Sequence, residues 1–242
     1  MQIKQLNWPH FAERDPHKKI RHLVVHCFAF SVSKSLKLWD KFGVGPHYMI
    51  DNKGQISQFV GENKVAWHAG KSCWRGDSGL NATSIGIELY TPSFGQKPYP
   101  KAQLDAFVKL ATQIIKKHHI RPENVVGHSD IAPTRKLDPN FSFPWKEMAK
   151  YGIGLWPKKQ IKQKSLKRTK TLLKEIGYDV SDEKAALLAF MRHFMPERVP
   201  VDRGAVDKME ENLPKVIAKM PKEDKEIRQI LVDVAAIYNK KN

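Results

Sequence analysis

RHLVVHCF, residues 21–28, is a polar entrance followed by an unbroken apolar run with one histidine inside it. A run this short, rich in branched and aromatic side chains, reads as a strand buried on both faces. Strands of that kind sit in sheets covered by helices, so the flanking segments should alternate between the two element types. Residues 33–42 read as a helix with Leu36, Leu38 and Trp39 inward and Ser33 as a candidate cap. HYMID at 47–51 and GQISQFV at 54–60 read as strands around an Asn-Lys-Gly turn. SIGIELY at 84–90 alternates like a further strand, and NVVGH at 124–128 is a short one after Pro122. Between them, residues 100–119 place Leu104, Phe107, Val108, Leu110, Ala111, Ile114 and Ile115 at helical spacing. The expected fold class is α/β, a mixed central sheet flanked by helices.

The composition changes further on. WPKKQIKQKSLKR, residues 156–168, carries six basic side chains and no acid, which marks a linker over 155–168 between a domain at 1–154 and a second at 169–242. Residues 169–242 contain no strand-like run. Helices are expected at 169–177, 182–194, 203–219 and 222–239, with KAALLAFMRHF burying Ala185, Leu188, Ala189 and either Met191 or Phe190. This points to a small all-α bundle with its own core.

Hydrophobic residues make up 41% of the 242 and aromatics 10%, which excludes a disordered chain. The net charge of +17 suits a polyanionic partner: nucleic acid, an anionic envelope polymer or an acidic membrane surface. The charge is spread along the chain rather than gathered into a basic, aromatic-laced stripe, so no nucleic acid is expected. Cys27 and Cys73 form no spaced framework, and Cys27 is expected in a buried strand. The start, MQIKQLNWPHF, has no apolar signal core, and no window is apolar enough for a membrane span.

Three residues carry the strongest chemistry. His26 lies inside an apolar strand, His128 follows Gly127 at the end of another, and Asp138 sits in the loop after it. Two histidines and a carboxylate are a frequent catalytic zinc set that leaves a fourth position for water. A histidine in a strand is nevertheless more often a core residue than a ligand, and Asp138 before Pro139 also reads as a turn.

GHSDIAPTRKLDP at 127–139, together with VVHCFA at 24–29, GPHYMID at 45–51, AWHAG at 66–70 and TSIGIEL at 83–89, resembles the type-2 N-acetylmuramoyl-L-alanine amidases. These include recycling amidases for anhydro-muropeptides, outer-membrane amidases, phage endolysins and peptidoglycan recognition proteins. The resemblance covers roughly residues 20–150. It implies Zn2+ as cofactor, held by His26, His128 and Asp138, and peptidoglycan or muropeptides as substrate. It also implies Glu88 as general base and Lys136 as oxyanion stabiliser. Ile85, Ile87 and Leu89 bracket Glu88 in sequence, a setting expected to raise its pKa. Pro46, where some members have tyrosine, and Asp138, where some have cysteine, favour the glutamate subtype. Asn140 departs from a frequent glycine.

His47, His68 and Trp67 are expected to line the cleft or stand behind the ligands. Trp74 is either groove or core, and Asp130 and Arg135 brace the loop. The helical tail is similar to small peptidoglycan-binding domains. A non-catalytic recognition module is the alternative reading. Domain content favours the bacterial cell envelope; the start of the chain favours the cytoplasm. No oligomeric state follows from the sequence.

Overall fold

The computed structural model describes residues 2–92, 97–158, 165–199, 212–220 and 223–240. In chain order its strands are β1 (Ile3–Gln5), β2 (Phe11–Glu13), β3 (His22–Phe28), β4 (Tyr48–Ile50), β5 (Ile56–Gln58), β6 (Lys64–Ala66), β7 (Cys73–Trp74), β8 (Asp77–Ser78), β9 (Ser84–Tyr90) and β10 (Val125–Gly127). The helices are α1 (Val32–Phe42), α2 (Lys101–His118), α3 (His128–Ile131), α4 (Trp145–Met148), α5 (Thr169–Ile176), α6 (Glu183–Phe194), α7 (Leu213–Ala218) and α8 (Lys225–Tyr238). A six-stranded sheet in the order β1-β5-β4-β9-β3-β10 forms the centre. β4 and β5 run antiparallel and the other pairs are parallel, which makes the sheet mixed.

Side chains alternate across a strand, and that period sorts the sheet into two faces. Leu23, Val25, Ile85, Ile87 and Leu89 take one face, covered by Phe107, Leu110, Ala111 and Ile114 of α2 and by Trp145 and Met148 of α4. Val24, His26, Gly86 and Glu88 therefore take the other. Part of this second face packs under α1, where Phe28, Met49 and Phe59 meet Leu36 and Trp39. α1 is capped by Ser31, whose side chain accepts from the Lys34 N–H, two residues earlier than the expected Ser33. It ends at Gly43, whose φ of 64° is a left-handed turn suited to glycine.

The rest of the second face is covered by the C-terminal helices. Val24, Val126, Ile131 and Leu137 share one apolar cluster with Leu172, Leu173, Phe190, Leu231 and Tyr238. The helices therefore do not close a core of their own, contrary to the sequence expectation. The reason is visible in α6. Every residue from Ala185 to Phe194 is buried, not one face, because α6 lies between α3 and α4 on one side and α5 and α7 on the other. Trp74 belongs to this junction rather than to a groove. Its indole N–H donates to the Glu123 carbonyl at 2.9 Å, and its ring meets Tyr178 edge-on at 5.0 Å. Residues 159–164 of the expected linker and 203–211 of the expected third helix lie outside the described residues.

Because one cluster spans sheet and helices, thermal unfolding is expected as a single transition, coincident by far-UV and near-UV circular dichroism. Trp74→Ala is expected to lower stability by about 3–5 kcal/mol without splitting that transition. Two separate transitions in the native chain would show that the helices stand on their own.

Candidate active site

The site forms where β3, β9 and β10 approach their carboxyl ends. His26 is the fifth residue of β3 and lies in register with Glu88 of β9. β10 ends at Gly127, so His128 opens α3 directly beside them. The loop after α3 is closed at its base by Ser129 N–H donating to the Asp138 carbonyl at 2.7 Å, which returns Asp138 to the same point. His26 Nδ1 lies 3.0 Å from His128 Nδ1 and 3.0 Å from Asp138 Oδ2, and His128 Nδ1 lies 3.2 Å from that oxygen. All three residues are buried.

The outer nitrogens decide what this triangle is. Ser84 Oγ–H donates to the Leu80 carbonyl at 2.6 Å, so it accepts from His68 Nε2–H at 3.1 Å. His68 Nδ1 is then an acceptor and takes the proton of His26 Nε2 at 2.9 Å. His128 Nε2 faces the Ala69 carbonyl at 3.1 Å, which can only accept. Both imidazoles thus carry their proton on Nε2 and present a bare Nδ1 lone pair to the triangle. No hydrogen lies among the three atoms: two nitrogen lone pairs and a carboxylate oxygen converge. Such a set could hold a metal ion, and the outer acceptors fix the tautomer of each histidine. A tetrahedral zinc with bonds of about 2.0–2.2 Å has ligand–ligand edges of about 3.3–3.5 Å, close to the distances here.

The protonation state of His26 agrees with this geometry. Burial, then the neighbouring His128, pulls His26 down to about 4 despite the Asp138 carboxylate, so it is neutral at pH 7. A neutral imidazole and an ionised carboxylate are the forms that bind metal.

The triangle opens into a cleft of about 960 Å³. Glu88, Lys136, Trp67 and His68 line it together with His128 and Asp138; Phe28, Phe30, Leu38 and Trp39 supply an apolar wall. The field of the Lys136 ammonium reaches His26. Glu88 shares a face with His26, whereas Ile85, Ile87 and Leu89 point through the sheet toward α2. The apolar bracket expected around Glu88 is therefore on the opposite face, because adjacent strand residues alternate. Arg135 braces the loop as expected, donating to the Ala69 and Lys71 carbonyls.

His47 does not line the cleft. It is fully buried; its Nδ1 accepts from Gly86 N–H at 3.1 Å, and its own N–H donates to the Gly86 carbonyl at 3.1 Å. It pins the start of β4 to β9 one layer behind His68, whose ring it meets at 5.5 Å. Asp130 is buried among partners rather than merely bracing a loop: it accepts from Gly127 N–H at 2.7 Å and Tyr178 O–H at 2.9 Å. Sequence reading passed over Asn81, whose side-chain oxygen accepts from His68 N–H and Ala69 N–H at 3.0 and 2.7 Å. It also passed over Ser84 and Gly86. A Cβ at Gly86 would meet the His68 ring at 2.5 Å, so glycine there makes room for the histidine. For Ser84 and Gly86 the only sequence signal was their position on the small, polar face of SIGIELY.

A mixed sheet with two bare imidazole nitrogens and a carboxylate at the end of an open cleft is the layout of a metal-assisted hydrolase. The profile of the N-acetylmuramoyl-L-alanine amidase family matches residues 16–141, and the chain belongs to that family. It is 39% identical over 212 residues to N-acetylmuramoyl-L-alanine amidase AmiD of Escherichia coli, spanning 74% of this chain and 76% of that protein. It is 32% identical over 164 residues to 1,6-anhydro-N-acetylmuramyl-L-alanine amidase AmpD of Haemophilus influenzae, spanning 59% of this chain and 88% of that protein. The solved complex of E. coli AmiD with the substrate anhydro-N-acetylmuramic acid-L-Ala-D-γ-Glu-L-Lys superposes with a TM-score of 0.72 at 31% identity. It covers 96% of this chain and 99% of that one.

Burial pulls His47 down to about 3, so the folded protein keeps it neutral where the unfolded chain, near 6.5, takes up a proton. Stability contributed by the neutral form is present above pH 6.5 and lost as pH falls toward 3. His47→Gln is expected to remove one proton from that slope, about 1.4 kcal/mol per pH unit between pH 6 and 4, in urea melts measured as a function of pH. An unchanged slope would contradict the neutral buried assignment.

Proposed function

We propose that His26, His128 and Asp138 hold a zinc ion and that this centre serves hydrolysis of the amide bond between N-acetylmuramic acid and L-alanine. The chain is an N-acetylmuramoyl-L-alanine amidase by family. The observation that carries the metal assignment is the pair of imidazoles protonated on Nε2, whose bare Nδ1 atoms share a point with the Asp138 carboxylate. Two nitrogens and one oxygen at these spacings suit zinc better than a hard cation that prefers oxygen alone.

When bound, zinc supplies a Lewis acid that eases loss of a proton from water at neutral pH and polarises the substrate carbonyl. The protein does the rest. Glu88 takes the proton of the attacking water and returns it to the leaving L-alanine nitrogen. Lys136 places a fixed positive charge beside the oxyanion that develops on the carbonyl. Trp67 and the apolar wall of α1 receive the sugar and exclude water from the reacting carbonyl. The presence of Glu88 and Lys136 in the same cleft supports catalysis over a non-catalytic recognition module.

The substrate is peptidoglycan or its muropeptides, and no helix of the described residues is long and apolar enough to cross a membrane. The setting favoured on domain content is the bacterial cell envelope, and there the +17 charge would draw the enzyme to anionic wall material. The helical segment adds wall-binding surface in this reading.

Incubation with purified peptidoglycan or anhydro-muropeptides is expected to release stem peptides beginning at L-alanine, seen by mass spectrometry. The release should stop with a chelator and return with zinc. Glu88→Gln is expected to lower kcat by about 10²–10⁴-fold with zinc content unchanged, and Lys136→Met by about 10²–10³-fold. Glu88→Gln at wild-type kcat would remove Glu88 from its role.

A further inference from the structure

Two of the three metal-site residues sit on a loop that is gripped from outside the amidase sheet. The Arg192 guanidinium of α6 is buried and donates to the carbonyls of Leu137 and Pro139, the residues on either side of Asp138. The next residue, His193, donates from Nδ1 to Asp130 Oδ2 at 2.8 Å. That same carboxylate oxygen accepts from Gly127 N–H, immediately before His128. Its other oxygen accepts from Tyr178 O–H, in the segment between α5 and α6. His193 is held flat between Trp145 and Phe194, with ring centroids 3.9 and 4.2 Å away. It therefore has little freedom to swing off Asp130.

A buried guanidinium is costly unless its surroundings compensate the charge. Burial pulls Arg192 down to about 10, opposed by the fields of Cys27, Asp138, Tyr99 and Asp130, so it stays charged at neutral pH. Packing alone would be met more cheaply by leucine or methionine at this position. What arginine adds is reach: one terminal nitrogen, Nη2, extends beyond where a lysine ammonium would end and donates to both backbone carbonyls. Here the spanned carbonyls flank a ligand.

We propose that α6 is part of the metal centre: Arg192 and His193, with Tyr178, act as positioning residues that set the approach of Asp138 and His128, so that metal affinity depends on the C-terminal helices. This rests on the metal reading of His26, His128 and Asp138 given above. The helices then have a role in the site separate from any contact with the wall. An outer-shell clamp of this kind acts on the ligands' geometry and not on the substrate, so its loss is read first in metal binding.

The experiment uses the full chain. Zinc affinity is measured by competition with a chromogenic chelator for the native protein, Arg192→Met, Arg192→Lys and Leu231→Ala, with circular dichroism melts for each. Leu231 is fully buried in the same apolar cluster and touches neither ligand loop in the hydrogen-bond network, so it reports packing loss alone. Both Arg192 substitutions are expected to weaken zinc by about 10–100-fold and to alter the visible spectrum of the cobalt(II)-loaded protein. Leu231→Ala is expected to lower Tm while leaving zinc affinity and the cobalt spectrum unchanged. If Arg192→Met does not fold, Arg192→Lys decides, because it keeps the buried charge but ends in a compact ammonium on a shorter stem, which falls short of the place Nη2 takes between the two carbonyls. Native affinity in the Arg192 variants, or an equal loss in Leu231→Ala, overturns the proposal. A native protein that binds no zinc overturns the metal reading instead, so the two failures are distinguishable.

Discussion

Two imidazole nitrogens and a carboxylate oxygen, all with lone pairs and no hydrogen between them, are held about 3 Å apart in a buried corner of the sheet. Such a cluster is repulsive on its own, and most of the surrounding structure serves to keep it in place. The Leu80 carbonyl orients the Ser84 hydroxyl, which orients His68, which orients His26. The Ala69 carbonyl does the same for His128. These acceptors stand on the 66–70 loop and at the start of β9, which Asn81, Arg135 and His47 in turn hold. A donor set with fixed tautomers needs no rearrangement when a cation arrives, which is how a rigid protein favours one metal geometry.

The same constraint explains how the sheet divides its faces. α2 covers one face with ordinary aliphatic packing and leaves the chemistry to the other. That second face is shared: α1 and its aromatic neighbours take the part that becomes the cleft wall, and the C-terminal helices take the part beneath the 127–139 loop. Burial there is not purely apolar. Asp130 and Arg192 are both nearly inaccessible, and each is compensated by groups from across the junction. Polar groups buried at a junction cost more to separate than an apolar contact of equal area, because separation leaves each one unpaired. The helices are thereby fixed in one orientation against the loop that carries two ligands.

From the sequence by itself came the α/β class, five of the six strands of the central sheet, the longer helices and the residue types of the site, because apolar periodicity and motif spacing are local properties. RHLVVHCF, SIGIELY and residues 100–119 could be read without knowing their neighbours. Tertiary structure alone decided three things. It covered the Ile85, Ile87 and Leu89 face with α2 and left the Glu88 face to the cleft, since alternation separates the two faces but does not say which one is covered. It chose between the two places open to His47, setting it behind His68 rather than in the cleft, since burial depends on what packs around β4 and β9. It merged the helical tail with the amidase core and put Arg192 beside Asp138, a separation along the chain of more than fifty residues. No local pattern records such a contact, because the partners of a buried charge are chosen by which elements fold against one another.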